Sequence, residues 1–515
     1  MHINLPHTFG HSVWKRRHHQ PKSVSKPDEV HRTTALHLAL RYMTMQTPGP
    51  EPLSVFNQCS PRGYICVVLC FPCDDGRREE AVHHIRQSLS RLANERPLFA
   101  GRLYTTEDGR AHILRSRAYD IPLEVIASEN GEEEDYEQLR RAEFPPGKFI
   151  DTRYNIPGLG GSNGAVCPVS KVDITFARGG LLLSIFLQHA ITDGSSLRVF
   201  LEALGNQTRD ISDCLPSEQE LRIPSTRLDS AASRKLSQLS AFNRLVKSCP
   251  EYMILPDLSG PTQPRPQIAG RPVSSINKVG KIFVFTSDKL RQLRKLIQAE
   301  NKSDTLPTAY ISLATLAFAH ITKARIQTDS YLTEIEPSQT AELWNSVNWR
   351  TRAFPGATEN YFGNAVLPAV TSVTREQVKA ACYDDGDLAR LAPFVKESID
   401  AVDEEHVRRR MSMMSQVPDP RMVGVNYDPR SPEVLAFNTW RHFGADIEWD
   451  IPGVPVTKPD TIRRATGGWG LGTALILPAK EDSKRQELFV SLSVDAMEAL
   501  CRDERWRQWV DRIIG

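Results

Sequence analysis

An almost wholly apolar segment, Leu181–Leu187, most strongly limits how this chain can fold. Val172–Ala177 precedes it, and the intervening Arg178-Gly179-Gly180 is a turn sequence, so the two segments predict a β-hairpin. Side chains of a strand alternate between the two faces of its sheet, so a strand that is apolar on both faces has to be covered on both. The segment therefore predicts a layered α/β or α+β fold with a buried sheet.

The rest of the sequence alternates between helical and strand patterns. Apolar residues spaced three and four apart predict helices, and short apolar runs beside turn residues predict strands. In the first half the predicted elements are a helix at Glu80–Asn94 closed by Pro97, a hairpin of Arg102–Thr106 with His112–Leu114, and a serine-capped helix at Ser195–Leu204. In the second half they are a strand at Lys281–Thr286, helices at Asp288–Ile297 (capped by Ser287) and Pro307–Lys323, a strand at Leu488–Leu492 and a helix from Asp495.

A proline-rich stretch separates these two halves. Six prolines fall between Pro250 and Pro272, and neither a helix interior nor a central strand tolerates them at that density. A chain of 515 residues has room for two domains of ordinary size. The predicted organisation is an N-terminal extension at 1–50, a first lobe at 51–215, a crossover at 216–280 and a second lobe at 281–515.

Composition and charge exclude several classes of protein. Hydrophobic residues make up 40% and charged residues 24%, which is typical of a globular protein and not of a disordered one. The 64 basic residues nearly balance the 62 acidic ones, so the net charge of +2 provides no electrostatic footprint for nucleic acid or for an anionic membrane. The apolar runs are too short for a membrane helix, and the N-terminus lacks a secretory pattern. We expect a cytoplasmic monomer.

The nine cysteines do not predict a disulfide framework, because their number is odd and they are scattered along a long chain. Cys66, Cys70 and Cys73 do cluster, but the segment around them has the apolar pattern of a buried strand, where cysteine acts as a small hydrophobic residue. A fourth ligand at zinc-site spacing is missing. No metal site is predicted.

The clearest chemical feature is the heptapeptide from Gln188 to Gly194, which contains His189 and Asp193. A histidine four residues before an acid is a weak signal alone, since His442 and Asp446 have the same spacing. His189 differs because it ends a buried strand and precedes a helix, and active sites often collect at such sheet edges. A structural histidine at a strand end is the alternative reading of this pattern.

Three further segments extend this motif in a specific order. They are Pro52-Leu53-Ser54 with Arg96–Leu103, then Asn348–Arg352 with Tyr361-Phe362-Gly363-Asn364, and finally Asn438-Thr439-Trp440 with Asp446–Asp450. In order and spacing they resemble the BAHD acyltransferases of plants and fungi, and the fungal branch that includes trichothecene 3-O-acetyltransferases is the most similar. The resemblance begins near Leu53 and continues to the C-terminus. The family's Asp-Phe-Gly-Trp-Gly motif here reads Asp-Ile-Glu-Trp-Asp, without either glycine.

This resemblance implies a fold of two chloramphenicol-acetyltransferase-like domains, each a mixed sheet with helices, joined by a long crossover loop and with a tunnel between them. Acyl-CoA would enter at one side and a small-molecule acceptor at the other, with His189 between them. A neutral imidazole near its working pH can take the proton of a hydroxyl or amine as that group attacks a thioester, so no covalent enzyme intermediate is needed. The resemblance assigns loop-shaping roles to Asp193 and Asp446 and gives Asp193 an arginine partner, either Arg350 or Arg352.

The resemblance assigns the oxyanion donor by family position, whereas the other site residues are predicted from their sequence contexts. The indole N–H of Trp440, together with Thr439, is the predicted donor to the oxyanion. Gly194 and Trp469, the latter in a glycine-rich turn, are predicted to lie at the acceptor site. Lys289, Arg294 and Lys295 are predicted to contact the phosphates of coenzyme A, although a basic helix face is also typical of ordinary solvent exposure.

The predicted activity is acyl-CoA-dependent O- or N-acyl transfer to a specialised metabolite, with acetyl-CoA as donor and without a bound cofactor. Two alternatives stay open at this point. A condensation-type enzyme would take its acyl group from a carrier protein, but those enzymes usually have a second histidine where this chain has Gln188. A catalytically silent relative that binds a metabolite is the other.

Overall fold

Two mixed sheets and the helices packed on them form the described part of the protein. The computed structural model describes residues 50–127, 133–159, 166–211, 239–255, 271–333, 338–354 and 361–515. Of the predicted extension, 1–49 lies outside the described residues, as does much of the predicted crossover. Residues Pro50–Gly515 form one compact unit.

The strands are numbered in chain order. They are β1 Glu51–Pro52, β2 Tyr64–Pro72, β3 Arg102–Thr105, β4 Ala111–Leu114, β5 Leu123–Ile126, β6 Cys167–Pro168, β7 Ser170–Ala177, β8 Gly180–Gln188, β9 Tyr252–Ile254, β10 Lys278–Thr286, β11 Thr340–Asn348, β12 Val366–Thr374, β13 Val423–Val425, β14 Val434–Thr439, β15 Thr461–Ala465, β16 Thr473–Ile476, β17 Arg485–Ser493 and β18 Arg512–Ile514. The main sheets have the orders β15-β2-β8-β7-β5 and β12-β11-β14-β16-β17-β10-β18.

The five-stranded sheet contains the predicted hairpin. β7 and β8 pair antiparallel, and β8 also pairs antiparallel with β2 from Tyr64 opposite Gln188 to Pro72 opposite Gly180. Every residue of β8 is buried, which confirms that this strand is covered on both faces. An edge strand of the same sheet, β15, comes from the last fifth of the chain and pairs with β2. The first sheet is therefore completed by a segment from within the predicted second lobe.

The seven-stranded sheet contains both strand orientations. β14 pairs parallel with β11 and with β16, whereas β10 and β17 pair antiparallel over nine residues. Together with the parallel pairing of β5 and β7 in the first sheet, this arrangement confirms the predicted mixed sheets. Two smaller sheets, β1-β4-β3-β6 and β13-β9, complete the strand pairing among the described residues. The predicted hairpin at 102–114 is formed by β3 and β4.

Each predicted helix has a counterpart whose ends agree to within a few residues, whereas the helices between Arg375 and Met414 were not predicted. They are α1 Val55–Gln58, α2 Arg78–Glu95, α3 Pro97–Ala100, α4 Tyr136–Arg141, α5 Gly194–Thr208, α6 Leu239–Lys247, α7 Ser287–Glu300, α8 Ala309–Thr328, α9 Arg375–Ala381, α10 Asp385–Asp400, α11 Glu404–Met414, α12 Val494–Arg502 and α13 Glu504–Arg507. Described residues of the predicted crossover include α6 and β9, so this stretch is not wholly irregular.

The helix caps correct two sequence predictions. Asp193, and not a serine, caps α5 by accepting a hydrogen bond from the backbone N–H of Ser196 at 3.0 Å. Thr286, and not Ser287, caps α7 by accepting from the backbone N–H of Lys289 at 3.3 Å. A cap needs extended backbone and a side-chain oxygen placed beneath the first turn. Asp193 and Thr286 both have extended backbone and a side-chain oxygen in that position.

None of the described helices is both long and apolar enough to cross a bilayer. Within the same part of the chain, no group of histidine, cysteine, aspartate and glutamate side chains is arranged to hold a metal ion. Cys66 and Cys70 are buried in β2, and burial raises the pKa of both thiols.

Candidate active site

His189 lies at the end of β8, where the backbone of the five-stranded sheet is tied to its surroundings. Its N–H donates to the carbonyl of Gly63 at 2.8 Å, and its carbonyl accepts from Nδ2 of Asn364 at 2.8 Å. The imidazole lines the central cavity, and its buried Nδ1 has no hydrogen-bond partner among the described residues. The backbone is therefore held on both sides while the ring keeps its hydrogen-bonding capacity.

The cavity beside His189 has a volume of about 550 Å³ and is lined by both main sheets. The five-stranded sheet contributes Tyr64, Ile65, Cys66, Arg464 and Ala465, with His189 at the strand end. The seven-stranded sheet contributes Trp344, Asn345, Ser346, Val366, Leu367, Pro368, Ala436, Phe437, Asn438, Thr473, Ala474 and Leu475. A volume of this size accommodates a small molecule.

The imidazole of His189 is held in its neutral form. Burial lowers the pKa of His189 below its ordinary value, and the nearby carboxylate of Asp193 offsets this only in part. A buried imidazole resists protonation because the charged form loses its hydration. At neutral pH the ring is therefore a proton acceptor facing the cavity, which is the state that a general base requires.

Asp193 does not face the cavity and instead forms a buried ion pair with Arg350. Nη1 of Arg350 donates to Oδ2 at 2.8 Å and Nη2 donates to Oδ1 at 3.0 Å. The backbone N–H of Ala365 also donates to Oδ2, at 2.9 Å. Burial alone would raise the pKa of Asp193, but the Arg350 charge and these hydrogen bonds outweigh it, and the pKa lies below its ordinary value.

Arg350 joins the histidine loop to the segment around Gly363. Its Nε donates to the carbonyl of Tyr361 at 2.9 Å, and its Nη2 donates to the carbonyl of Gly363 at 2.6 Å. The other arginine considered, Arg352, donates to the carbonyl of Ile399 at 2.8 Å. Arg350 is therefore the partner of Asp193, a choice that the sequence left open.

Two asparagines that sequence reasoning left without a role complete this framework. Oδ1 of Asn57 accepts from the backbone N–H of Asn364 at 2.8 Å and from its Nδ2 at 3.1 Å. That same Nδ2 group donates to the carbonyl of His189. The amide oxygen of Asn57 therefore anchors the asparagine that holds the His189 carbonyl. The sequence motif Tyr361–Asn364 includes Asn364, but it does not show that Asn364 contacts Asn57 and the carbonyl of His189.

Trp440 follows β14 of the seven-stranded sheet and packs against apolar clusters of both main sheets. It lines the cavity together with Asn438, and no described residue hydrogen-bonds to its indole N–H. The amide oxygen of Asn438 accepts from the backbone N–H of Thr439 at 2.7 Å, so this hydrogen bond does not use the NH₂ group of Asn438. Thr439 does not line the cavity, and its hydroxyl accepts from the backbone N–H of Arg441 at 3.2 Å.

Asp446 lies away from the cavity in a loop that packs against α5. Its Oδ2 accepts from the backbone N–H of Glu481 at 2.8 Å, and its Oδ1 contacts Nζ of Lys458 at 3.2 Å. The same loop touches α5 closely, because a Cβ at Gly205 would meet Ile447 and the backbone of the next residue. The loop thus braces the C-terminal end of the helix that Asp193 caps.

The two residues predicted at the acceptor site are not on the cavity wall. Gly194 begins α5, and a Cβ there would overlap the ring of Phe443. Trp469 covers Gly280 in β10 and stacks on Phe489 with ring centroids 6.1 Å apart. Both therefore serve close packing in this structure, and contact with an acceptor stays a prediction.

The basic residues predicted to bind coenzyme A lie on α7, outside the cavity wall. Nζ of Lys289 donates to the carbonyl of Val510 at 2.8 Å, and Nε of Arg294 donates to the carbonyl of Pro307 at 2.6 Å. Lys295 is exposed. The structure does not bring these residues to His189, and their contact with phosphate stays a prediction.

Two family models match this chain over the segments that form the site. Residues 160–505 match the model of the Transferase family. Residues 64–206, which include His189, match the trichothecene 3-O-acetyltransferase-like N-terminal domain.

Similar proteins include trichothecene 8-O-acetyltransferase of Fusarium sporotrichioides, which is 23% identical over 495 residues and covers 89% of this chain and 97% of its own length. Eremophilane O-acetyltransferase of Penicillium rubens is 24% identical over 370 residues, covering 65% of this chain and 74% of its own. Among solved structures, the F. sporotrichioides TRI101 complex with coenzyme A and T-2 superposes with a TM-score of 0.68 at 20% identity, covering 91% of this chain and 100% of that one.

These matches confirm the two-lobed fold and the acyltransferase assignment that the motif order predicted. The family model covers more than half of the chain, and its range contains His189, Asp193, Arg350 and Trp440. The chain therefore belongs to the Transferase family, that of the BAHD acyltransferases.

Proposed function

We propose that the protein transfers an acyl group, in the first instance acetyl, from coenzyme A to a hydroxyl or amine of a small specialised metabolite. The observation that supports this most directly is the neutral imidazole of His189 at a cavity lined by both sheets, with an Nδ1 that has no hydrogen-bond partner among the described residues. The names of similar proteins, which are acetyltransferases of trichothecene and eremophilane compounds, indicate the class of acceptor.

In the proposed reaction His189 accepts the proton of the acceptor hydroxyl or amine as its oxygen or nitrogen attacks the thioester carbonyl carbon. A C–O or C–N bond forms, and the carbonyl oxygen becomes an oxyanion. Collapse of this tetrahedral intermediate breaks the C–S bond, and the imidazolium returns its proton to the departing thiolate of coenzyme A. A general base of this kind contributes about 10²- to 10⁴-fold to the rate.

Two hydrogen-bond donors among the cavity-lining residues are suited to stabilise the oxyanion. The indole N–H of Trp440 and the amide of Asn438 both belong to the cavity lining. Such donors act strongly in a cavity from which water is excluded, because the low local dielectric leaves the developing charge unscreened. Thr439 is less suited, because it lies outside the lining and its hydroxyl oxygen already accepts a backbone hydrogen bond.

A condensation-type reaction is disfavoured by Gln188, which stands where such enzymes usually have a second histidine. Its side chain is committed to structure, since Nε2 donates to the carbonyl of Arg62 at 3.1 Å and Oε1 accepts from the N–H of Ala190 at 3.2 Å. We therefore favour free acyl-CoA as donor. A silent binding relative is disfavoured by the neutral imidazole at the cavity.

The proposal also places the enzyme in the cytoplasm as a monomer. The eight cysteines within the described ranges are free thiols, which agrees with a reducing compartment. The near-zero net charge gives no attraction to polyanionic partners.

The proposal is tested by titrating acetyl-CoA and free coenzyme A into the purified protein by calorimetry, followed by a free-thiol release assay. The acceptor panel contains trichothecene and eremophilane alcohols and aromatic amines. We expect one-to-one binding of acetyl-CoA to the wild type and to His189→Ala, with thiol release lowered about 10²- to 10⁴-fold in the variant.

His442→Ala is the matched control, because His442 has the same spacing to an acidic residue but lies outside the cavity lining. Its turnover should equal that of the wild type. Absence of binding to any acyl-CoA, or full activity of His189→Ala, would remove the basis of the proposal.

A further inference from the structure

Arg464 brings an uncompensated positive charge to the cavity. It belongs to β15, is partly buried and lines the cavity beside Ala465 and Cys66. Within the described ranges its guanidinium forms no hydrogen bond, ion pair or ring contact. Among the described residues that line the cavity there is no aspartate or glutamate, so none of these side chains balances the charge.

Other buried arginines of the protein are compensated. Five of them contact a carboxylate: Arg325 with Asp329, Arg350 with Asp193, Arg410 with Glu251, Arg430 with Asp428 and Arg463 with Glu487. The contrast is sharpest for the neighbour of Arg464 in the same strand. Arg463 donates to Glu487 at 2.6 Å and to the carbonyls of Phe144 and Glu143 at 2.9 Å and 2.8 Å. Adjacent residues of one strand point to opposite faces, so one arginine is structural and the other faces the cavity.

Burying a guanidinium in a cavity wall costs free energy unless a negatively charged group accepts its hydrogen bonds. Arginine stays protonated in proteins, so it does not escape the cost of burial by losing its proton. Burial lowers the pKa of Arg464, and no neighbouring carboxylate raises it. An isolated charge removed from water is unfavourable, whereas a carboxylate that meets both arms of the fork restores two charge-assisted hydrogen bonds.

We propose that Arg464 is a specificity-determining residue that binds a carboxylate of the small molecule entering the cavity. The inference rests on the proposed function, in that this molecule is a substrate of acyl transfer. A carboxylate fits better than a phosphate, because one guanidinium offsets one negative charge. A phosphate dianion would leave a second charge in a wall whose described lining residues include no other fixed cation.

The geometry favours the acceptor as the source of the carboxylate. Arg464 pairs with Val67 of β2, whereas His189, which follows β8, donates to Gly63, the residue just before β2 and four positions from Val67. Since β15 and β8 flank β2, they are two strand spacings apart. The two backbone positions are therefore about 13 Å apart along the strands and about 10 Å apart across them. A short dicarboxylic acyl group has its carboxylate only a few bonds from the thioester carbon, so a larger acceptor spans this separation better.

The first test compares Arg464→Met with Arg463→Met in thermal unfolding of the full chain. If the Arg464 guanidinium binds a ligand and not another part of the protein, it contributes little to folding stability. Arg464→Met should therefore keep or raise the melting temperature. Arg463→Met should lower it, because Glu487 and two carbonyls lose their donor. Equal destabilisation by both variants would make Arg464 a structural residue and overturn the proposal.

The second test measures binding of 4-phenylbutyrate and its uncharged analogue 4-phenylbutyramide by calorimetry. We expect the wild type to bind the carboxylate about 10- to 100-fold more tightly than the amide, the usual effect of hydrogen bonds to a charged group. Arg464→Met should lose this preference, and Arg464→Lys should keep part of it. Equal binding of acid and amide by the wild type would contradict the proposal, whether or not any variant folds.

A third arm distinguishes the sources of the anion and separates this inference from the proposed function. Acetyl-CoA, malonyl-CoA and free coenzyme A are titrated into wild type and Arg464→Met. Selective loss of malonyl-CoA binding would assign the carboxylate to the donor acyl group, and equal loss for all three would assign Arg464 to coenzyme A phosphate and overturn the proposal. Failure of every CoA ligand to bind the wild type contradicts the proposed function, while the probe comparison still reports on Arg464.

Discussion

Arg350 and Asp193 form a buried, two-pronged ion pair although they are 157 residues apart in the chain. Asp193 caps the helix that follows the His189 loop, and Arg350 follows β11 of the other main sheet. The carboxylate therefore links the local geometry of the histidine loop to the packing of the two sheets. Asp193 is therefore a positioning residue, and its replacement should lower the stability of the protein.

Asp193→Ala should lower the free energy of unfolding by about 3–5 kcal/mol, because it leaves the charge of Arg350 buried without its partner. Activity should fall together with stability. Denaturant unfolding followed by fluorescence measures the first, and thiol release measures the second.

Asp400→Asn is the control, since Asp400 forms an exposed ion pair with Lys396 whose loss costs at most about 1 kcal/mol. An Asp193→Ala protein that stays as stable and as active as the control would show that the ion pair shapes nothing.

The pH dependence of kcat/KM should report the lowered pKa of His189. The base is active when neutral, so the rate is full at neutral pH and falls as the pH drops through the folded pKa. Because burial lowers that pKa, the acid limb should be centred below about 6.5, the unperturbed value. A limb centred above 6.5 would mean that the ring is stabilised as the cation. Recovery of activity after return to pH 7 separates titration from acid unfolding.

Gly194→Ala should destabilise the protein through overlap with Phe443 and not through backbone strain. Inserting a methyl group into a packed contact costs about 1–3 kcal/mol. Phe443→Leu should relieve much of that cost when combined with Gly194→Ala. Thermal unfolding of the two single variants and the double variant measures this coupling. Strictly additive losses would contradict the close contact.

Substitutions of Trp440 and Asn438 should identify the oxyanion donor. Trp440→Phe removes the indole N–H while keeping an aromatic ring, and Asn438→Ala removes the amide. Loss of a transition-state donor lowers kcat about 10²- to 10³-fold with little change in KM. Steady-state kinetics with a saturating acyl donor compare the two variants. If neither variant loses kcat, the oxyanion is stabilised by other groups.

Much of the secondary structure follows from the sequence because its causes are local. The apolar run at 181–187 predicts the buried strand β8, and the spacing within 80–94 predicts α2, since both patterns depend only on residues a few positions apart. The caps of α5 and α7 show the limit of such reasoning. In each case the predicted serine lies within two residues of the residue that caps the helix, and the folded backbone conformation decides which side-chain oxygen accepts from the first turn.

The chain by itself determined the order of motifs, the place of His189 at the end of a buried strand and membership of an acyltransferase family. Only the tertiary structure decided that Arg350 pairs with Asp193, that Asn57 and Asn364 hold the backbone of His189, and that the basic residues of α7 face away from the cavity. It also decided that Arg464 reaches the cavity while Arg463 is paired. Helix and strand patterns come from neighbours in sequence, whereas these contacts join residues brought together by packing of distant segments.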